Sequence, residues 1–190
     1  MSIRMVVVGA SRGGFTALTT ILSGLPAGFP LPLAIVQHRA RTQAHLLPQL
    51  LGAGSALPVE EAEDKLPIMP GKVYLAPADY HLLVEEDYFT LSTEGPVSYA
   101  RPSIDVLFES AAYSYGSDVI GIILTGANRD GAYGAALLKR KGGRLLVQEP
   151  SSAESAVMPL AAMQAHPDWI LPLAAIAPFL ANFCVGSECG

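Results

Sequence analysis

The sequence predicts an α/β domain, a doubly wound, mainly parallel sheet with a β-hairpin insertion and helices on both faces. Three observations predict it. Short apolar runs rich in β-branched residues or leucine recur along the chain. Segments with apolar residues at helical spacing alternate with them. Ser11, His38 and Asp130 each stand just past one of the short runs. Strand ends on one edge of a parallel sheet are neighbours in space, however far apart they are in sequence.

Residues 5–8 read as a buried strand, followed by a glycine-rich turn. Phe15, Leu18, Ile21, Leu22 and Leu25 recur at helical spacing, and Gly24 and Pro26 close that helix. Residues 33–36 form the second strand, with Gln37 and His38 at its end. A helix is expected over 44–51, a short strand over 59–62, a loop over 67–71 and a strand over 73–76. Runs 82–84 and 88–91, joined by 85–87, read as a hairpin. Pro102 suits a helix first turn, and Asp105 complements the positive end of that helix dipole. This helix runs to Tyr115 and stops at Gly116. Residues 119–124 are the clearest buried strand, and 125–131 form a polar turn. A helix over 132–141 ends at Gly142 and Gly143. A strand over 145–148, a loop over 150–155, a short helix over 158–164, a strand over 169–171 and a helix over 174–183 complete the chain.

The chain has 190 residues, enough for one domain with a full core. Hydrophobic residues make up 51% and charged residues 15%, which argues for a filled interior rather than disorder. A net charge of -5 without a basic cluster argues against a nucleic-acid surface. The cysteines, Cys184 and Cys189, make no disulfide framework and suit a reducing cytoplasm. No signal-peptide pattern fits the N-terminus. The apolar stretch 169–181 is too short to span a bilayer and carries Pro172 and Pro178, so no membrane insertion is expected.

The turn Gly9-Ala10-Ser11-Arg12-Gly13-Gly14 admits several readings. A dinucleotide fingerprint is disfavoured. Ser11 replaces the glycine that would approach a pyrophosphate, and Gln37-His38 stands where a carboxylate belongs. A nucleophile elbow fits Gly9-x-Ser11-x-Gly13, with the helix N-terminus behind it offering N–H groups to an oxyanion. A plain glycine turn with an N-cap serine fits as well. His38 alone reads as a structural histidine, as do His45, His81 and His166. Asp130 alone reads as the cap of the helix starting at Ala132. Together the three have the residue types of a triad. Their order, Ser11, His38, Asp130, disfavours the familiar α/β-hydrolase topology but not triad chemistry.

The segments VVVGASRGG (6–14), IVQH (35–38), GKVYLAPADYH (71–81), RPSIDVLFESAA (101–112), GIILTGANRDGAYG (121–134) and the pair Met158-Pro159 carry a resemblance. The chain resembles the catalytic domain of the CheB-type protein-glutamate methylesterases of bacterial chemotaxis. The resemblance covers nearly the whole chain, so one catalytic domain is expected over 1–185, with 186–190 as a tail. It implies a Ser11–His38–Asp130 triad that hydrolyses glutamate γ-methyl esters on cytoplasmic helices of methylated chemoreceptors, and deamidation of receptor glutamines in many members. It implies no metal or organic cofactor. Backbone N–H groups of Arg12 and of Gly126, Ala127 and Asn128 are the expected oxyanion and substrate donors. Asp79 and His81 are expected to support the triad rather than react.

Three departures from the family pattern stand out. Arg12 replaces the usual threonine after the nucleophile. Ala127-Asn128 replaces Met-Gly in the acid loop, where asparagine is expected to tolerate left-handed geometry. Arg12 and Arg129 are expected to make an electropositive mouth. The familiar N-terminal receiver domain is not in this chain. A related esterase or amidase with a different substrate, and a weakly catalytic signalling module, are the competing functions. Oligomeric state is not legible in the sequence.

Overall fold

The structure, a computed structural model, describes residues 3–39 and 46–185. The elements follow in the order β1 (Met5–Ala10), α1 (Gly14–Gly24), β2 (Leu33–Gln37), α2 (Leu47–Gly52), β3 (Val59–Glu61), β4 (Val73–Leu75), β5 (His81–Val84) and β6 (Phe89–Ser92). Then come α3 (Ile104–Tyr115), β7 (Val119–Ile123), α4 (Ala132–Arg140), β8 (Arg144–Gln148), α5 (Val157–Ala162), β9 (Trp169–Leu171) and α6 (Leu173–Val185).

Seven strands form one sheet in the order β3-β4-β2-β1-β7-β8-β9. Every pairing in it is parallel. The chain winds outward from β1 through β2 to β3 and β4, then returns to lay β7, β8 and β9 on the other side. The direction of winding therefore reverses at β1, the place where open α/β sheets bind ligands. The expected doubly wound sheet is present, and β5 and β6 form the separate antiparallel hairpin.

Both faces of the sheet are covered, which is why its central strands are apolar throughout rather than alternating. Val6, Val8 and Ala10 face a core shared with Leu18, Ile21 and Leu22 of α1 and Ile176 and Leu180 of α6. Met5 and Val7 face the other core, with Leu107, Phe108 and Ala111 of α3 and Leu138 of α4. Leu82, Val84 and Phe89 of the hairpin close that second core. Among the described residues, no helix is long and apolar enough to cross a membrane.

The boundaries differ from expectation in instructive places. β1 runs on through Gly9 and Ala10 because their backbones pair with Val36 and Gln37 whatever the side chain. Pro102 lies outside α3, which starts at Ile104 with Ser103 at its N-cap position in extended conformation. The expected loop after β8 contains a short 3₁₀ turn over Pro150–Ser152. Residues 44 and 45 of the expected second helix, His45 included, and the tail 186–190 lie outside the described residues.

Candidate active site

Ladder bonds past the strand ends bring the predicted groups together. Ser11 N–H donates to Thr125 O at 3.0 Å, and His38 N–H donates to Ala10 O at 3.0 Å. The ends of β1, β2 and β7 are thereby stitched side by side. The chain then turns into α1 through Gly13, whose φ of 78° needs a residue without Cβ. Positive φ falls on Gly13 and not on Ser11. A Cβ at Gly9 would lie 2.4 Å from Ile104 Cγ2, so glycine there lets the first turn of α3 reach the sheet edge.

Two side chains clasp this edge. Gln37 Nε2 donates to Ser11 O and to His38 O, both at 2.9 Å. Thr125 Oγ1 donates to Arg12 O at 2.8 Å and accepts from Ser155 N–H at 2.9 Å. These bonds fix the backbone just after the serine side chain.

His38 Nε2 lies 2.8 Å from Asp130 Oδ2, with the Asp130 side chain fully buried and the His38 side chain 14% exposed. Asp130 collects three more bonds. Ser103 Oγ donates to Oδ1 at 2.8 Å, Asp105 N–H to Oδ1 at 3.1 Å, and Ile104 N–H to Oδ2 at 2.7 Å. Burial pushes the Asp130 carboxyl up, but the bonds from His38, Ile104, Asp105 and Ser103 outweigh it and hold the group below the ordinary carboxylate range. An ionised carboxylate only accepts, so the proton between the pair belongs to His38 Nε2. Nδ1 is then the accepting nitrogen of the ring, and Asn128 Nδ2 donates to it at 3.2 Å. Asn128 Oδ1 in turn accepts Asp130 N–H at 3.1 Å.

Asp130 thus sits at the N-terminus of α3 rather than capping α4, the helix that follows it. The α4 N-terminus is served by Asp105, whose Oδ1 accepts Gly131 N–H at 2.9 Å and Gly134 N–H at 2.8 Å. Asp105 stands in the first turn of α3 as expected, and its bonds go beyond its own helix. The carboxylate side chain reaches a neighbouring helix, where two N–H groups await it. Burial and the nearby Asp130 charge push the Asp105 carboxyl above its ordinary range, against the Gly134 and Ser98 bonds.

The remaining predicted residues fall into place around this centre. His81 is buried; its Nδ1 accepts Ser103 N–H at 3.2 Å and its Nε2 faces Gly95 O at 3.0 Å. His81 therefore touches Asp130 only through Ser103. Asp79 Oδ1 accepts from Arg101 Nε at 3.1 Å and Nη2 at 2.7 Å. Arg101 also donates to Thr93 O and Glu94 O, anchoring the loop above the site.

A cleft of about 450 Å³ opens over Ser11, His38 and Asn128, walled by Arg39, Tyr99, Arg101 and Pro102. Its arginines are Arg39 and Arg101, not the expected pair Arg12 and Arg129. The Arg12 guanidinium faces Glu154 at 3.6 Å on the surface and is not among the residues lining the cleft. Gly126 N–H is spent on Ser155 O at 3.1 Å, which removes it from the expected oxyanion donors. Ala127 is exposed and Asn128 half-buried. Positive φ does not occur at Asn128, so its expected tolerance of left-handed geometry is not used. Gln37, Ser103 and Asp105 were not singled out by sequence for these roles. Their signal was membership of the segments IVQH (35–38) and RPSIDVLFESAA (101–112); their bonding partners lie elsewhere in the chain.

A serine, and a histidine bonded through one nitrogen to a buried carboxylate, at the switch edge of a parallel sheet, define a serine-hydrolase type of α/β protein. The chain belongs to the CheB methylesterase family, whose model matches residues 6–180. It is 45% identical over 180 residues to a putative protein-glutamate methylesterase/protein-glutamine glutaminase of Leptospira interrogans, covering 93% of both chains. It is 43% identical over 172 residues to protein-glutamate methylesterase/protein-glutamine glutaminase 5 of Myxococcus xanthus, covering 85% of this chain and 47% of that one. The crystal structure of the Thermotoga maritima CheB methylesterase catalytic domain superposes with a TM-score of 0.92 at 34% identity, covering 96% of this chain and all of that one.

Proposed function

We propose that this chain hydrolyses glutamate γ-methyl esters on the cytoplasmic helices of methylated chemoreceptors, in the cytoplasm. The observation that carries the reading is the buried His38–Asp130 pair beside Ser11. Ser11 Oγ attacks the ester carbonyl while His38 Nδ1 takes its proton. Asp130 holds Nε2–H and stabilises the imidazolium. His38 then returns the proton to methoxide, which leaves as methanol. Water repeats the sequence on the acyl-enzyme and regenerates Ser11. Backbone N–H groups of Arg12, Ala127 and Asn128 are the proposed oxyanion donors. A glutamine carboxamide presents the same carbonyl, so deamidation would use the same groups and release ammonia.

The surroundings of the cleft support a receptor helix as substrate. Arg39 and Arg101 wall it, the first paired with Glu61 and the second with Asp79, so they frame the cleft as a fixed rim. Phe15, Leu46 and Leu50 stand exposed on the other side of His38 and suit the apolar stripe of a helix.

The test is methanol release from methylated receptor. Wild-type protein releases methanol, and Ser11→Ala loses about 10⁴-fold or more in kcat while keeping its fold. Full activity in Ser11→Ala would remove Ser11 as nucleophile. Release from small esters but not from receptor would give the site a different substrate.

A further inference from the structure

His38 Nδ1 has one lone pair, and in this structure Asn128 Nδ2 holds it at 3.2 Å. The orientation of the amide is fixed independently. Asp130 N–H can only donate, so the atom it meets at 3.1 Å is the oxygen of Asn128, and the nitrogen faces His38. The ring orientation is fixed too, because Nε2 faces an ionised carboxylate. Asn128 therefore donates to the same lone pair that Ser11 must use.

We propose that Asn128 is a latch on the base: it stabilises resting His38 and must let go of Nδ1 before Ser11 can react. This rests on the reading of Ser11, His38 and Asp130 as the hydrolytic groups. The balance of the first step makes the conflict plain. The Ser11 O–H bond breaks, its oxygen forms a bond to the carbonyl carbon, and the carbonyl π pair moves to oxygen. The proton forms an N–H bond at Nδ1. Once that bond exists, Nδ1 is a donor facing the Asn128 amide, which is also a donor. The Asn128 contact is thus favourable in the ground state and absent from the transition state. Such an interaction slows the chemical step.

Two variants separate the latch from loop structure. Asn128→Ala removes both bonds. Asn128→Ser keeps an oxygen able to accept Asp130 N–H from two residues away but is too short to reach His38. The probe is an uncharged organophosphorus fluoridate, whose reaction with Ser11 needs the same base but no receptor. At one fixed pH, both variants are modified several-fold faster than wild type. Their kcat/KM on methyl ester rises by the same factor, and the ¹⁵N resonance of His38 Nδ1 moves while that of Nε2 does not. Folded Asn128→Ser reacting no faster than wild type would overturn the latch, as would an unmoved Nδ1 resonance. Wild type that is not modified at Ser11 at all would remove the hydrolytic reading and the latch with it. Modification without methanol release from receptor would count against the receptor substrate alone.

Discussion

Asp105 and Asp130 exchange helix caps. Asp130, in the loop before α4, accepts the first N–H groups of α3, while Asp105, in the first turn of α3, accepts Gly131 and Gly134 N–H at the start of α4. Two N–H groups at the start of each helix are thus satisfied by the other's chain segment. The positive end of the α3 dipole faces the carboxylate that also holds His38, and that of α4 faces Asp105. The carboxylate that holds His38 is fixed by the fold itself, through helix packing rather than a local turn.

Asp130→Asn should lower kcat by about 10⁴-fold, because an amide nitrogen cannot accept from His38 or from the α3 backbone. It should also change the acid limb of stability. The folded Asp130 pKa lies below its unfolded value, so its contribution is present above the ordinary carboxylate pKa of about 3.9. That contribution is lost as pH falls through the lower folded value. Urea unfolding from pH 7 down to pH 3 should show a shallower fall for Asp130→Asn than for wild type.

Asp105→Asn has the opposite sign. The folded pKa of Asp105 is raised, so its contribution is favourable below the ordinary carboxylate range and is lost as pH rises through the folded value. Asparagine keeps an oxygen for Gly131 and Gly134 N–H and removes the like charge beside Asp130. The variant should be at least as stable as wild type at pH 7, with the gap closing in acid. A variant clearly weaker than wild type at pH 7 would mean that the ionised carboxylate is needed at α4.

Ser103→Ala removes the 2.8 Å bond from Ser103 Oγ to Asp130. A hydrogen bond to a charged, buried group contributes about 1.5–3 kcal/mol, so chemical denaturation should show a loss of that order. Asp130 keeps its other three bonds, so kcat should fall far less than in Asp130→Asn.

Arg12→Thr and Arg101→Ala should separate two arginines that composition treats alike. Arg12 and Glu154 are both largely exposed, with side chains 72% and 58% accessible, so removing the pair should change stability by less than about 1 kcal/mol. Arg101 holds Asp79 and two carbonyls of the loop over the cleft. Its loss should cost more than Arg12 in thermal stability and raise KM for receptor. Equal effects of the two substitutions would contradict this assignment of the cleft wall.

The sequence by itself determined the alternation of strands and helices, because each short apolar run could be buried only in a sheet covered on both faces. It also determined that Ser11, His38 and Asp130 lie at strand ends. It left open whether Asp130 caps α4 or serves His38, since a carboxylate before a helix reads the same either way. Only the tertiary structure decided that, by bringing α3 against Gly9 and placing its free N–H groups beside Asp130. The same holds for Asn128, read in sequence as a residue replacing a glycine in a turn. Its bond to His38 spans 90 positions of chain, and no local pattern encodes a partner at that distance. Local periodicity reports what a segment buries; which polar groups meet is settled by the sheet order and the packing of helices on it.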